Sequence, residues 1–267
     1  MPFTIIGELL NTTRKTIRDA VSARDAETIE RLVIGQQDGG AGCIDVNTGA
    51  GVHTEAEDMK WLISTVQAVA SVPLCIDSPD PGVIESVLDL LTLPPMINSI
   101  SLEHKRCERM LDILRGRRCQ VIALCMDDAG MPESVAEICR RSERLVSALV
   151  SIGIDPTAIW IDPLVGPVST QTANGLTAMA AVAAIKKGIP GVKTVCGLSN
   201  ISFGLPARRI INRTFLTLMM SRGLDGALLD PLDRDLMAAI QTTRLLLGED
   251  DYCLQFMDSC AAGRVPV

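Results

Sequence analysis

Four short apolar segments of this sequence each end in an acid or an amide. The terminal side chains are Asp77, Asn98, Asp162 and Asn200. A carboxylate only accepts hydrogen bonds, whereas a primary amide both donates and accepts them. If these groups lie together, they suit a flat ring with an amidine-like N–H edge and a carbonyl, as a pterin or guanine ring has. The pattern therefore predicts a site that positions a heterocycle and does not attack it.

Three of these residues also have a purely structural interpretation. Asp162 precedes Pro163 and could form a turn, and Asn98 could tie neighbouring loops together. Asp77 opens an Asp-Ser-Pro sequence and could belong to a helix-capping turn. The functional interpretation is favoured because all four residues stand at equivalent strand ends, which separate structural roles would not require.

The stretch of residues 192–204 carries the densest group of candidate residues. It opens with a β-branched run that predicts a buried strand. It continues into Gly197, Ser199 and Asn200. A glycine at a strand's end lets the backbone approach a ligand closely. The hydroxyl and the amide that follow are placed to contact something polar and planar.

Short apolar segments alternate with longer amphipathic ones along the whole chain. The predicted strands span residues 3–9, 43–47, 73–77, 95–98, 120–126, 158–162, 193–198 and 226–230. The predicted helices span residues 26–38, 54–70, 81–91, 103–115, 132–152, 172–187, 208–222 and 234–247. Strict alternation indicates parallel strands joined by crossover helices. Eight such units in 267 residues predict an α/β fold, a (β/α)8 TIM barrel that forms a single domain over residues 1–267.

A doubly wound sheet is the competing architecture. Its G-x-G-x-x-G fingerprint does not follow the first strand, and Thr54 stands where a third glycine would follow Gly49 and Gly51. In a (β/α)8 barrel the chemistry sits at the C-terminal ends of the strands. The residues expected at that rim are Glu8, Asn11, Asp45, Asn47, Asp77, Asn98, Met126, Asp162, Gly197, Ser199 and Asn200, with Asp230 as a further candidate.

Other kinds of chemistry find little support in the residues. Only two histidines occur, and no local spacing assembles three metal ligands, so we expect no metal site. A serine nucleophile would need a base and a G-x-S-x-G elbow, and we identify neither in the sequence. We interpret His53 as a solvated loop side chain, with a contact at the rim as the alternative, and His104 as a surface residue that starts a helix.

Composition restricts the partners and the compartment. The net charge is −7 and no basic stripe is visible, which disfavours nucleic acid. No apolar run approaches the ~18 residues that a membrane span needs, and the first residues do not form a secretion signal. Nine cysteines without a C-x-x-C pair then predict reduced thiols in a cytoplasm. Those in predicted strands are expected to pack in the core: Cys43, Cys75, Cys125 and Cys196.

Seven short strings, taken in order and spacing, resemble the pterin-binding methyltransferases. They are Gly7-Glu8, Asp45-Val46-Asn47, Cys75-Ile76-Asp77-Ser78, Met96-Ile97-Asn98-Ser99, Ile161-Asp162-Pro163-Leu164, Gly197-Leu198-Ser199-Asn200 and Ile211-Asn212-Arg213-Thr214-Phe215. The similarity runs from about Ile5 to Phe256. The nearest resemblance is to the methyltetrahydrofolate–corrinoid protein methyltransferases. The folate module of cobalamin-dependent methionine synthase and dihydropteroate synthase are more distant.

The resemblance implies a TIM barrel, usually a homodimer, that binds tetrahydrofolate or 5-methyltetrahydrofolate at its strand ends. It implies methyl exchange with a cobalamin carried by a partner corrinoid protein. By resemblance, the pterin anchors are Asp77, Asn98 and Asp162, the ring contacts are Gly197 and Ser199, Asn200 reaches N5, and Arg208 makes a positive contact near the folate tail or the corrinoid. Asn200, Asp77 and Asp162 are the candidate catalytic residues. Phe203 departs from the family, because a polar glutamine is expected at that place.

Two alternatives and one open question remain at the level of sequence. A dihydropteroate synthase-like enzyme would need a diphosphate site with a Ser-x-Arg type motif late in the chain, which Arg208-Arg209 and Asn212-Arg213 do not match. A non-catalytic folate-binding subunit would bind tetrahydrofolate without transferring a methyl group. The direction of methyl transfer is open, because the same pocket serves both directions.

Overall fold

Eight parallel strands close into a barrel in which each strand pairs with its neighbours in chain order. The computed structural model describes residues 3–50 and 54–265. The strands are β1 (Thr4–Asn11), β2 (Cys43–Asn47), β3 (Leu74–Asp77), β4 (Met96–Leu102), β5 (Gln120–Asp127), β6 (Ile159–Asp162), β7 (Lys193–Gly197) and β8 (Gly226–Leu229). Pairing of β1 with β8 closes the circle. The predicted (β/α)8 barrel is thereby confirmed.

Helices cover the outside of the barrel in the described residues. They are α1 (Lys15–Ala23), α2 (Ala26–Asp38), α3 (Glu55–Gln67), α4 (Pro81–Val87), α5 (His104–Leu114), α6 (Val135–Ser151), α7 (Asn174–Gly188), α8 (Arg208–Met220), α9 (Arg234–Leu246) and α10 (Leu254–Ala261). Several begin at a side-chain cap, as when Asp80 accepts from the Gly82 amide at the start of α4. None of these helices has the length and apolarity that crossing a bilayer requires.

Side chains inside the barrel form two layers stacked along its axis. The lower layer is an apolar cluster of Ile6, Cys43, Cys75, Met96, Ile122, Trp160 and Val195. Because side chains alternate across a strand, the residues two positions further on face the interior again. These are Glu8, Asp45, Asp77, Asn98, Leu124, Asp162 and Gly197. An apolar floor therefore carries a mostly polar layer at the C-terminal ends of the strands.

Trp160 fills much of the floor. Its indole Nε1 donates to Gln120 Oε1 at 2.8 Å, so the buried ring keeps its polar atom satisfied. A Cβ atom on Gly226 would lie 3.0 Å from that ring, so the glycine makes room for it. Burying a large apolar side chain stabilises the fold by about 1.5–3 kcal/mol. The four cysteines expected in the core are buried as well.

The end of β1 is shaped by a side chain from α2. Gln36 is fully buried, and its Oε1 accepts the Leu9 amide at 3.1 Å. The pairing of β1 with β2 shifts register between Gly7 and Leu10. A Cβ atom on Gly7 would meet Gln36 Oε1 at 2.4 Å. Glycine at position 7 is therefore what lets Gln36 hold the segment that carries Glu8.

Some predicted boundaries were wrong. β1 and β4 extend to Asn11 and Leu102 rather than ending at residues 9 and 98. The helix expected from residue 132 begins at Val135, because the Ser134 side chain caps it by accepting the Glu137 amide. Sequence reasoning missed α1, a nine-residue helix with only Ile17, Ala20 and Val21 buried.

The C-terminal segment runs back along α9. Asp250 accepts the amides of Gln255 and Phe256 and so starts α10. Arg234, at the beginning of α9, donates to the Gly263 carbonyl. α10 therefore lies beside α9 on the outside of the barrel.

Candidate functional site

The C-terminal ends of β2 and β3 and the first half of β4 bring three polar side chains together. Asn47 Nδ2 donates to Asp77 Oδ2 at 2.8 Å. Asp77 pairs in register with Asn47 on one side and Asn98 on the other. Ser78, the residue after Asp77, donates its amide to the Asn98 carbonyl at 3.2 Å. The two predicted anchors Asp77 and Asn98 are therefore neighbours on one wall of the barrel mouth.

Asp45 lies one step deeper in the same wall, beside Cys75, Asn98 and Asp77. It is only 2% exposed. Burial, and then the nearby charge of Asp77, raises the pKa of Asp45 well above its ordinary value. Its Oδ1 has no hydrogen-bond partner among the described residues. Asp45 therefore offers a buried oxygen, directly below the anchors, that can accept a hydrogen bond from a polar ligand or a water.

The ionisation of Asp77 is set by opposing influences. Burial raises the pKa of Asp77, and Glu55 adds to the rise. The hydrogen bond from Asn47 and the charge of Arg106 act against it. Ionisation of Asp77 thus stays costly in spite of the Asn47 donor, and a further donor such as a ligand N–H group would favour the carboxylate form.

Asp162 faces the mouth from the opposite wall, at the end of β6. Its carboxylate lies close to Cys125 and Cys196. Oδ1 accepts the Leu164 amide at 2.7 Å, so Asp162 also shapes the turn that follows it. Burial raises the pKa of Asp162 to about 7, against the effect of the Leu164 hydrogen bond. The carboxyl group can therefore change its ionisation near neutral pH.

Glu8 and Ser199 close the ring of polar groups between β1 and β7. Ser199 Oγ donates to Glu8 Oε1 at 3.3 Å, and Arg14 lies 3.7 Å from the same oxygen. Burial raises the pKa of Glu8, while Arg14 and the Ser199 hydrogen bond act against the rise. Glu8 is also near enough to Asp45 to raise the pKa of that acid. Polar contacts thus run from β7 through β1 to β4.

A 3₁₀ turn, Leu198–Ser202, carries Asn200 at the rim. Asn200 is exposed, and its Nδ2 would lie 3.1 Å from a Cβ atom placed on Gly197. The glycine therefore leaves room for the amide to fold back over the strand end. Arg208 holds the turn: Nη2 donates to the Ser199 carbonyl at 2.7 Å, and Nε donates to Ser202 Oγ at 3.0 Å. A contact of Arg208 with a ligand remains a prediction.

The remaining candidates have varied surroundings. Asn11 Oδ1 accepts both the amide and the hydroxyl of Thr13, so its side chain already organises its own loop. Met126 is half-buried near the end of β5. Asp230 lines a cavity of about 170 Å³ together with Glu8, Ser199 and Arg208. His104 is exposed at the start of α5, as expected, and His53 lies outside the described residues.

The described residues contain no group of three or more His, Cys, Asp or Glu side chains arranged to hold a metal ion. A larger cavity of about 530 Å³ is lined by Pro94, Arg118 and Ile154. These residues lie in the loops that precede strands, at the end of the barrel opposite to the polar layer. The chemistry-bearing side chains thus concentrate at the C-terminal end.

The sequence model of the family described as pterin binding enzyme matches residues 7–230. This range contains the C-terminal end of every strand. The chain belongs to the pterin-binding enzyme family.

Two relatives extend the assignment to that family. The chain is 35% identical over 263 residues to a protein of Eubacterium limosum named methylcorrinoid:tetrahydrofolate methyltransferase, with 98% of this chain and 97% of that protein covered. It is 31% identical over 237 residues to methionine synthase of Mycobacterium leprae, with 84% of this chain and 20% of that protein covered. The chain thus spans about a fifth of the larger enzyme.

Solved structures agree on the fold of this pterin-binding enzyme. Dihydropteroate synthase of Xanthomonas albilineans in complex with 7,8-dihydropteroate is 22% identical, with a TM-score of 0.69 over 93% of this chain and 92% of that chain. The same enzyme with 4-aminobenzoic acid is 21% identical, with a TM-score of 0.72 over 94% of both chains. At this identity the likeness concerns the barrel alone.

Two features of this pterin-binding enzyme were missed in the sequence. Asp45 was expected at the rim but not as a buried acid, although the alternation Cys43-Ile44-Asp45 after a core cysteine indicates that its side chain faces the barrel interior. Arg106 was not a candidate, because it belongs to a helix and reaches the strand ends only in three dimensions.

Proposed function

We propose that this protein transfers a methyl group between N5 of tetrahydrofolate and the cobalt of a corrinoid carried by a partner protein. The observation that carries the proposal is the similarity, over almost the full length of both chains, to the methylcorrinoid:tetrahydrofolate methyltransferase of Eubacterium limosum. The match to the pterin binding enzyme family over residues 7–230 supports it. The polar layer at the strand ends supplies the matching ligand chemistry.

Asp77, Asn98 and Asp162 anchor the pterin in this proposal. The two carboxylates accept hydrogen bonds from the N–H groups of the ring, and the amide can both donate and accept. Asp77 and Asn98 form one wall, and Asp162 faces them from β6. Burial raises the pKa of Asp77 and of Asp162. Ring N–H donors favour the carboxylate form of each acid, so binding of the ring promotes ionisation and ionisation promotes binding.

Asn200 acts at N5 in this proposal. Breaking the N5–methyl bond leaves the bonding electron pair on N5, so N5 must gain a proton or a strong hydrogen bond as the bond breaks. The amide of Asn200 can accept from a protonated N5 and donate to a neutral one, in either direction of transfer. A contact that strengthens in the transition state raises kcat. The corrinoid supplies the cobalt atom that gives or takes the methyl group.

The other residues hold these groups in place. Arg208 fixes the turn that carries Asn200, and Glu8 accepts from Ser199 in the same turn. Gly197 leaves space for the Asn200 amide. Orientation and electrostatics are therefore the tasks of this chain.

Methyl exchange with free methylcobalamin tests the proposal. We expect calorimetry to show that the purified protein binds tetrahydrofolate. We also expect the protein to accelerate formation of 5-methyltetrahydrofolate from methylcobalamin, and to do so faster when the methyl donor is a matching methylated corrinoid protein. A protein that binds tetrahydrofolate without exchanging methyl groups would instead be a binding subunit. Condensation of a pterin diphosphate with 4-aminobenzoate would favour a dihydropteroate synthase-like activity.

Assembly as a homodimer and a cytoplasmic location are part of the proposal. Leu176 at the start of α7 and Ile210 at the start of α8 are 68% and 65% exposed, and the two helices are neighbours. Exposed apolar side chains on adjacent helices are typical of a subunit interface. All nine cysteines are free thiols, which fits a reducing compartment.

A further inference from the structure

Arg106 lies behind Asp77, at the end of β3, and Asn98, within β4. It stands in the first turn of α5, the helix that follows β4. Its guanidinium donates to three backbone carbonyls, with Nη2 at 3.1 Å from Ser78 and 2.8 Å from Ser99, and Nη1 bonded to Pro79. Ser78 directly follows Asp77, and Ser99 directly follows Asn98. One side chain therefore grips the backbone next to both residues.

We infer that Arg106 is a positioning residue for the ligand-anchoring pair Asp77 and Asn98, which it fixes from the helix layer without touching the ligand. The inference rests on the proposed function, because it takes these two residues as the ones that receive the pterin. Arginine suits such a clamp because its donors form a rigid planar fork. A lysine ammonium keeps the charge but is a single compact donor group on a flexible stem.

The charge of Arg106 acts on the same anchor. Burial raises the pKa of Asp77, and the positive charge of Arg106 is one of two influences that lower it, the other being the Asn47 hydrogen bond. Two further acids face this region, namely Glu55 from α3 and buried Asp45 from β2.

The clamp itself stays charged among acids. Burial lowers the pKa of Arg106, whereas the charges of Glu103, Asp77 and Asp80 act against this and favour the guanidinium's charged form. Removing the guanidinium leaves Asp77 among other acids without this cation. The carboxylate form that accepts ligand N–H groups then becomes available only at higher pH.

Calorimetric titration of the full chain with tetrahydrofolate across about pH 6 to 9 tests the inference. Arg106→Gln removes both clamp and charge. Because hydrogen bonds to charged groups contribute about 1.5–3 kcal/mol, we expect at least a roughly tenfold loss of affinity near neutral pH. The pH at which affinity is half-maximal should also move upward. Arg106→Lys keeps the charge, so it should lose affinity while its half-maximal pH stays near that of the wild type.

Arg109→Gln is the matched control. Arg109 stands on the same helix three residues further on, is exposed, and pairs with Glu85 away from the strand ends. The control should bind tetrahydrofolate like the wild type at every pH. Thermal unfolding followed by circular dichroism shows whether each variant is folded.

The outcomes separate the two levels of the proposal. Wild-type protein that fails to bind tetrahydrofolate would overturn the proposed function and this inference with it. If the wild type binds, the inference alone is overturned by an Arg106→Gln variant with unchanged affinity, or with an equal loss at every pH and no shift of the half-maximal value. If Arg106→Gln does not fold, Arg106→Lys decides: reduced affinity at an unchanged half-maximal pH supports the clamp, and unchanged affinity overturns it.

Discussion

At the scale of single residues, this barrel mouth gathers acids that burial keeps from ionising freely. Burial is the largest cause of the raised pKa values of Glu8, Asp45, Asp77 and Asp162. Such crowding costs stability in the free protein, and it is characteristic of sites prepared for a ligand. Hydrogen-bond donors on the ligand would relieve the cost at the moment of binding.

The first prediction concerns Asn200, which we place at N5. Asn200→Ala removes a contact that strengthens only during methyl transfer, so we expect kcat to fall about 10²–10³-fold while tetrahydrofolate still binds. Steady-state kinetics beside calorimetry separate the two quantities. An unchanged kcat would remove Asn200 from the mechanism.

Asp162 provides a prediction for stability against pH. Its pKa rises from an ordinary value of 3.8 to about 7 in the fold, so the folded state binds more protons than the unfolded chain between those values. The free energy of unfolding that Asp162 contributes is fully present below about pH 3.8 and is lost as the pH rises through about 7. An Asp162→Asn side chain cannot ionise, so that variant does not lose this stability as the pH rises.

The melting temperature of Asp162→Asn relative to wild type should therefore increase between about pH 4 and pH 8, by roughly 2–4 °C for each kcal/mol recovered. The same variant should bind tetrahydrofolate more weakly, because an amide offers N–H groups where the ring needs an acceptor. Asp19→Asn, on the exposed surface of α1, serves as the control. A difference in melting temperature that does not change with pH would contradict a raised pKa for Asp162.

At the scale of elements, the strand ends are held from the helices outside them. Gln36 of α2 supports the end of β1, Arg106 of α5 holds β3 and β4, and Arg208 of α8 holds the turn after β7. Each polar side chain satisfies backbone groups that the barrel's own pairing leaves free. The position of the site residues thus depends on contacts between layers.

Gly7→Ala tests one of these supports. The added methyl group would meet Gln36 Oε1 and displace it from the buried Leu9 amide, at a cost of about 1–3 kcal/mol in the free energy of unfolding. Gly35→Ala on α2 is the control, because its methyl group would find only an ordinary contact with Leu232 at 3.7 Å and helices favour alanine. Denaturant unfolding measures both, and equal stability of the two variants would refute the close fit.

At the scale of the whole molecule, the barrel places every strand end on one face and leaves its outer helices free to meet a partner. A C-terminal face that binds folate must also admit the corrinoid protein, so subunit contacts are expected on the sides. The exposed residues Leu176 and Ile210 stand in the first turns of α7 and α8, on the outer helix layer near the rim. This arrangement favours an interface through α7 and α8.

Ile210→Glu should therefore convert a dimer into monomers, because a charge cannot be desolvated in an apolar contact without a partner. Leu246→Glu is the control, since Leu246 is also exposed, at 78%, but lies at the far end of α9. Sedimentation velocity distinguishes the two states. A wild-type monomer, or a dimer that survives Ile210→Glu, would exclude this interface.

Sequence reasoning went furthest where a short local pattern decides the structure. The strand β2 and the helix α2 have the predicted bounds, because apolar alternation and helical periodicity are local properties. It failed at α1, whose small buried face gives a weak periodic signal, and at the extension of β4 beyond residue 98. The roles of the individual site residues remain predictions.

Residue order and spacing alone were enough to predict the barrel, the end of it that carries the acids and amides, and the family to which these residues point. They were enough because parallel strands place equivalent positions at one edge and side chains alternate every second residue. The folded chain was needed to show which acids are buried deeply enough to resist ionisation, as Asp45 and Asp162 are. Folding also brings Arg106 to the strands that carry the anchors. Neither desolvation nor contacts between layers can be read from a local pattern, because both depend on neighbours that are distant in the chain.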